Sequence, residues 1–332
     1  MAASTTTHSM KPDLSPLSDP APVATPIALE TALEEVAGEP VQAAHPWRGR
    51  VLVFTSAVLW STSGFFAKAD TFHGWPGGLL AFWRAAFASL VLVPMVRRPA
   101  WSWWLVPMVI CFVLMMWTYL TAMTLGLAAT AIWLQSTAPV WVLMVGVLCF
   151  GEKFHPRDLI LVFFGLSGVG VILAFELGGS QMFAVCLGLI SGVFYAAVVI
   201  CLRQLRHMEA TWLAAINNVA TVCCLAPYAI WFSQTHWPQG IQWLYLIAFG
   251  ALQIGLPYVL FAKGLREVSG HEAGGIALIE PVLVPIWTWV AWGERVTPHV
   301  MAGAALIFLG LAFRYLLPMK SANRAEPQKV AP

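Results

Sequence analysis

Two ionisable side chains, Arg84 and Glu280, lie inside apolar runs of this 332-residue sequence. Arg84 sits in FWRAAFASLVLVPM and Glu280 in ALIEPVLVPIWTWVAWGER. Each is far enough into its run to lie ~12–14 Å deep in a hydrocarbon layer of ~30 Å. A charge at the centre of a membrane helix costs roughly 2.5–3.5 kcal/mol, so such groups face a bundle interior and find a partner. Two kinds of chemistry suit the pair. One is work on a solute: contact with a charged group, or proton coupling through Glu280. The other is structural: an Arg84–Glu280 ion pair, or bonds to carbonyls of a broken helix, that only staples the bundle. Their similar depth permits the ion pair, and both readings stay open at this level.

Neutral polar and aromatic residues share the apolar runs. Trp60, Tyr119, Tyr195 and Tyr258 are joined by Trp133, Trp141 and Trp287, and Gln135 and Asn217 by Ser61, Ser63, Ser136, Asn218 and Gln253. Taken singly, any of these aromatics fits packing better than ligand contact. Together they suit a cavity for an amphipathic organic solute rather than a small inorganic ion. Pro139 and Pro281 each remove a backbone N–H and release a carbonyl one turn earlier. In lipid that is tolerated where other groups or water take up the released carbonyl. Both prolines are therefore expected to kink helices beside a cavity, with a packing kink as the plainer alternative.

Other chemistry finds no pattern. The sequence holds no HExxH, GxSxG, phosphate loop or GxGxxG after a strand, so no enzyme is indicated and no cofactor is expected. Without a nucleotide site, any driving force is a gradient. The six cysteines, Cys111, Cys149, Cys186, Cys201, Cys223 and Cys224, form neither CxxC nor Cys/His spacing, and His155, His207, His236, His271 and His299 lack metal-ligand spacing. No metal site is predicted. The net charge of +2 gives no sign of nucleic-acid binding.

The elements that would position these residues follow from composition. Hydrophobic residues make up 59% of the chain and charged residues 10%, against about 25% charged in an ordinary soluble domain. This is an all-α integral membrane protein. Ten apolar runs are long enough to span, at 51–68, 77–96, 102–122, 129–150, 158–176, 182–202, 211–232, 241–262, 271–292 and 298–318. Residues 1–48, rich in Ala, Pro, Thr and Glu, read as a disordered tail without a signal-peptide core, and residues 319–332 as a second tail. With the N-terminus in the cytoplasm, Arg48, Arg50, Arg97, Arg98, Lys153, Arg157, Arg203, Arg206, Lys263, Arg266, Arg314, Lys320 and Arg324 fall at the cytoplasmic face, and only Lys68 and Arg295 outside. That asymmetry places both termini in the cytoplasm. Trp101, Trp103, Trp104, Trp231, Trp237 and Trp243 stand at span ends as an aromatic belt.

The chain repeats itself. A shift of 142 residues pairs Pro139 with Pro281, Gly151-Glu152-Lys153 with Gly293-Glu294-Arg295, Pro156 with Pro298 and Gly168 with Gly310. A shift of 135 pairs Trp60 with Tyr195 and Lys68 with Arg203, and one of 133 pairs Arg84 with Asn217 and Pro94 with Pro227. The halves, 49–177 and 178–318, hold five spans each. An odd number reverses the second half in the membrane, giving an inverted-topology repeat of the kind found in secondary transporters, with a site between the halves. Glu280 breaks the repeat, because its counterpart is Ala138. Glu152 and Glu294 are expected to cap helices or pair with Lys153, Arg295 or neighbours. Gly188 and Gly192, with Gly165, Gly168 and Gly170, are expected to pack helices within the bundle, leaving a monomer or weak homodimer.

The repeated endings STAPVWVLMVGVLCFGEK and LIEPVLVPIWTWVAWGER resemble the EamA domain of the drug/metabolite transporter superfamily, as do VLWSTSGFFAK and FWRAAFASLVLVPM. The resemblance covers roughly residues 50 to 317 and implies ten helices around a central cavity. Glutamate before proline is frequent at the position of Glu280 in such proteins. The expectation is a secondary transporter of small organic solutes, amino acids or related metabolites, in the inner membrane. Its direction, efflux, comes from the resemblance alone, and protons are the candidate coupling ion. An importer or antiporter of anionic metabolites such as sugar phosphates, and a non-transporting scaffold or lipid-handling protein, are the alternatives.

Overall fold

The structure is a computed structural model that describes residues 46–150, 156–176, 181–268 and 270–315. Every regular element among them is helical: α1 Pro46–Ser61, α2 Ser63–Ala67, α3 Gly77–Leu92, α4 Leu105–Leu125, α5 Ala128–Gln135, α6 Ala138–Phe150, α7 Pro156–Glu176, α8 Met182–Gln204, α9 Ala210–Phe232, α10 Ile241–Gly250, α11 Leu256–Gly264, α12 Gly270–Ala277, α13 Glu280–Trp292 and α14 Pro298–Tyr315. Among the described residues nine helices, some built from two of these segments, are long and apolar enough to cross a membrane, and Pro298–Phe313 is a shorter apolar one. The tails beyond residues 46 and 315, and Gly151, Glu152, Lys153 and His155, lie outside the described residues.

The span boundaries differ from expectation chiefly at α1, which starts five residues before residue 51, and at α4, which runs three residues later than 102–122. Trp101 and Trp103 stay outside the helix and are 70% and 80% exposed, as bulky interfacial rings would be. The larger departures are inside the spans. Ser61 and Ser63 bracket a break at Thr62, and two-residue breaks at 136–137 and 278–279 split the helices that carry the prolines. A π-helical turn, Ala251–Gly255, joins α10 to α11. Pro139 and Pro281 are thus not mid-helix kinks. Each is the second residue of the helix that restarts after a break, a position where the missing N–H has no intrahelical partner to lose.

Hydroxyls take up carbonyls at two of the breaks. Ser61 Oγ donates to the Val58 carbonyl (2.6 Å) and Thr62 Oγ1 to Leu59 (2.6 Å). Ser136 Oγ donates to Ile132 (2.8 Å) and Thr137 Oγ1 to Leu134 (2.6 Å). The 278–279 break has only Leu278 and Ile279, and the Ile279 carbonyl accepts from the Val282 and Leu283 N–H groups. Just beyond it Pro285, inside α13, leaves the Pro281 carbonyl without its helical donor, and Trp133 Nε1 of another helix donates to it at 2.9 Å.

Helix α4 packs along α8, α1 along α11, α3 along α9, and α7 along α14. The α7–α14 crossing is close. A methyl group added at Gly303 would stand 2.7 Å from the Gly168 carbonyl and 2.6 Å from Ile172, and one at Gly168 would meet the Gly303 carbonyl in turn. Gly188 and Gly192 face residues 131–137 of the same bundle. Gly168→Ala forces two backbones apart and is expected to cost about 1–3 kcal/mol, the range for overpacking. Gly170→Ala, where nothing lies within 4 Å, is the control. Thermal unfolding in detergent checks this: a lower midpoint for Gly168→Ala alone is expected, and equal midpoints would refute the close crossing.

Candidate functional site

The breaks surround a central cavity of about 110 Å³. Its wall takes Trp60 from the end of α1, Arg84 from α3, Phe112, Met115, Met116 and Tyr119 from α4, and Gln135 and Ser136 from the first proline helix. Tyr195 comes from α8, Asn217 from α9, Gln253 from the π turn, Tyr258 from α11, and Glu280 and Pro281 from α13. The eight side chains singled out in the sequence, Arg84, Glu280, Trp60, Tyr119, Gln135, Tyr195, Asn217 and Tyr258, therefore share one wall. Pro139, Trp133, Trp141 and Trp287 do not reach it. Trp133 and Trp287 tie helices together instead, the latter donating to Ser61 Oγ at 2.8 Å. The apolar lining residues Phe112, Met115, Met116, Leu213 and Ile254 carried no signal, since an apolar residue in an apolar span looks the same on either face.

Among the described residues no ion pair joins Arg84 to Glu280. Arg84 is buried, with its guanidinium carbon 5.2 Å from the centroid of the Phe249 ring and its Nη2 against the Met116 sulfur. The ring face supplies electrostatic attraction without neutralising the charge. Glu280 is the first residue of α13. Read as the middle of a continuous span, a carboxylate is unsupported. At the start of a restarted helix it stands at the positive end of the helix dipole, worth about 0.3–2 kcal/mol. The break that admits the proline also makes the acid tolerable. The arrangement presents one cation and one anion to the same small space without joining them.

One end of the bundle is tied shut. The wall of the cavity takes residues next to the 205–209 loop, Leu202 and Ala210, and none from 68–76, 126–127, 233–240 or 293–297. A latch joins three of that second set of loops. Lys68 Nζ is 3.3 Å from Glu294 Oε2 and also donates to the Gly126 carbonyl. Glu294 Oε1 accepts from the Ala128 N–H at 2.9 Å. One ion pair thus straddles the 126–127 turn, its cation at the C-terminal end of α4 and its anion at the N-terminal end of α5, each where the helix dipole favours it. Gly293, at φ 66°, turns the chain so that Glu294 reaches this place. Glu294 was expected to cap a helix or to pair with Arg295 or a neighbour; it accepts from the first N–H of α5, and its cation is Lys68 of the first span rather than Arg295. Trp292 Nε1 adds a bond to the Phe65 carbonyl at 2.8 Å, and Phe65, Phe66, Tyr245 and Phe249 stack beneath.

A multi-pass helical protein whose broken helices enclose a part-polar cavity has the form of a membrane transporter. The comparison with known families agrees. The model of the EamA-like transporter family matches residues 47–174 and again 182–316, and the chain belongs to this family. It is 27% identical over 271 residues to an uncharacterized transporter of Archaeoglobus fulgidus, covering 79% of this chain and 94% of that one. It is 25% identical over 240 residues to the pseudopaline exporter of Pseudomonas aeruginosa, covering 70% and 84% of the two chains. It is 25% identical over 206 residues to the aromatic amino acid exporter of Ancylobacter novellus, covering 60% and 71%. A solved crystal structure superposes with a TM-score of 0.60 at 20% identity, over 86% of this chain and all of the other, which shows a shared fold.

The Trp133–Pro281 bond supplies the donor that Pro285 removes and pins the start of α13. Trp133→Phe keeps an aromatic ring but deletes the donor and part of a buried side chain, so a loss of at least about 1 kcal/mol is expected, the scale of interhelical bonds in membranes. Hydrogen exchange across residues 278–287 should rise in this variant. Unchanged exchange there would show that the bond does not pin this turn.

Proposed function

We propose that this protein is a secondary transporter that moves small organic solutes out of the cell across the inner membrane by alternating access. Amino acids or related amphipathic metabolites suit the cavity. The observation that carries this reading is the convergence of Arg84, Glu280 and the aromatic and amide side chains on one cavity between the helix breaks, latched at one end.

The architecture behind it is ten spans in two inverted halves, 49–177 and 178–318, with tails 1–48 and 319–332 and both termini in the cytoplasm. Pro298–Tyr315 is the tenth span. Two features support the inversion. The breaks at 136–137 and 278–279 are separated by the same 142 residues as the repeated prolines. The helix pairings also map onto one another when the halves are exchanged: α1 on α11 answers α8 on α4, while α3 on α9 and α7 on α14 answer themselves. Two near-equivalent halves can trade conformations, and the trade would release the Lys68–Glu294 latch while closing the opposite end. On this reading the latched end is the outer one and the cavity faces the cytoplasm.

Efflux is supported by two relatives named as exporters, one of pseudopaline and one of aromatic amino acids. Glu280 supports proton coupling: its carboxylate faces the cavity without an ion pair, so gaining or losing a proton changes the charge a solute meets. Gly165, Gly168, Gly188 and Gly192 spend their small faces inside the bundle, whereas Gly170 faces open space, which suits a monomer or weak homodimer.

Reconstitution into liposomes tests the reading. A screen of radiolabelled amino acids and related solutes is expected to find at least one that moves, and movement of none with or without a pH gradient would overturn it. For a solute that moves, Glu280→Gln is expected to abolish gradient-driven accumulation while exchange of solute for solute survives. Unchanged accumulation would remove Glu280 from the coupling.

A further inference from the structure

The polar groups on the cavity wall have an imbalance that the transport reading alone leaves unused. Gln253 is 3% exposed and sits in the π-helical turn. Its Nε2 donates to the Trp60 carbonyl at 2.9 Å. A carbonyl oxygen only accepts, so this bond settles which end of the amide is nitrogen. The other end is therefore oxygen, and Gln253 Oε1 is buried with no donor. Asn217 Oδ1, also on the cavity wall, is buried without a donor as well. A buried acceptor left unpaired costs roughly 1–3 kcal/mol. Glu280 adds a carboxylate with no ion pair. Acceptors from α9, the π turn and α13 thus share the cavity wall with one cation, Arg84, whose helix α3 packs against both α9 and the π turn. Trp60 and Tyr258 meet edge to face beside them, ring centroids 5.5 Å apart, and aromatic faces attract cations.

We propose that Gln253 Oε1 and Glu280, with Asn217 alongside, form a subsite for a protonated primary amine of the transported solute. The proposal rests on the reading of this cavity as the solute path. An ammonium group has three donors and no acceptor, which answers the two unpaired kinds of group here: oxygens that lack a donor, and an anion that lacks a cation. The π turn is what makes the subsite. Its wider loop of backbone carries Gln253 inward far enough to hold the Trp60 carbonyl, next to the break at Thr62, with one atom and to leave the other for the solute. Gln253 is then a specificity-determining residue that also ties solute binding to the first-span break. An anionic solute without an amine, such as a phosphate ester, meets carboxylate and amide oxygens at this subsite and has Arg84 alone to hold it.

Four indole probes separate the groups: tryptophan, tryptamine, N-acetyltryptophan and indole-3-propionate. Each is added to the full-length protein in detergent, and the shift of the thermal unfolding midpoint is read as a function of probe concentration. Tryptophan and tryptamine are expected to raise the midpoint. The two probes without a free amine are expected to leave it unchanged or to act only at concentrations at least tenfold higher. Gln253→Met, which keeps the volume and deletes the acceptor, is expected to need about tenfold more tryptamine for the same shift. Protection by indole-3-propionate equal to that by tryptamine would overturn the subsite and leave the transport reading standing, as would liposome transport confined to solutes without an amine. An unchanged tryptamine response in a folded Gln253→Met would remove Gln253, and since the probe series uses the natural protein, a Gln253→Met that fails to fold leaves that test intact. No protection by any probe together with no solute movement in liposomes would overturn both readings.

Discussion

In hydrocarbon a helix cannot be interrupted unless something else satisfies the backbone it frees, and the rest of this structure depends on how that demand is met. The answer differs from break to break. At Thr62 and at 136–137 it is local, with serine and threonine hydroxyls turned back onto carbonyls of the preceding turn. At 278–279 the residues are apolar, and just past them the Pro281 carbonyl, left without a helical donor by Pro285, is met by Trp133 of another helix. At the end of the first helix Gln253 reaches across from the π turn to Trp60. The two long-range bonds tie the first span to the eighth and the fourth to the ninth. The cavity is the space these ties enclose, so the same constraint that satisfies the backbone also shapes the site.

The halves are alike in frame and unlike in charge. Pro139 and Pro281 restart helices at equivalent places, yet one restarted helix begins with Ala138 and the other with Glu280. Arg84 has Asn217 as its counterpart. On the proposed mechanism such a frame gives two related ways to close, and the asymmetric charges, with the guanidinium over Phe249 and the carboxylate at a helix start, set which groups a solute would meet. The restarted helix relieves part of the cost of burying the acid, and the ring face part of the cost of burying the base.

Much of this was legible in the residues, for identifiable reasons. Spans show in hydropathy because lipid demands it along their whole length. Arg84 and Glu280 stand out because a charge there has few structural excuses. Proline marked two of the breaks to within three residues. The break at Thr62 and the π turn carry no such mark: serine, threonine and glutamine occur in unbroken spans, and only the partner across the bundle decides. The latch was invisible for the same reason. Glu294 has a neighbouring arginine in sequence, but its partner Lys68 lies in the first span, at the far end of the chain. Met116 and Phe249, which surround the guanidinium, are apolar residues among many.

The central claim is that the space between the breaks is a path that opens to each side in turn. Ala277, buried on the cavity wall just before the second break, gives direct access to it. The measurement is the labelling rate of a single cysteine, Ala277→Cys, in a cysteine-free background by a membrane-impermeant thiol reagent applied to each face of oriented vesicles. The account predicts labelling from the face that bears the 205–209 loop in the resting protein, and labelling from the opposite face once a transported solute drives the exchange. Absence of labelling from both faces, with and without solute, would contradict it.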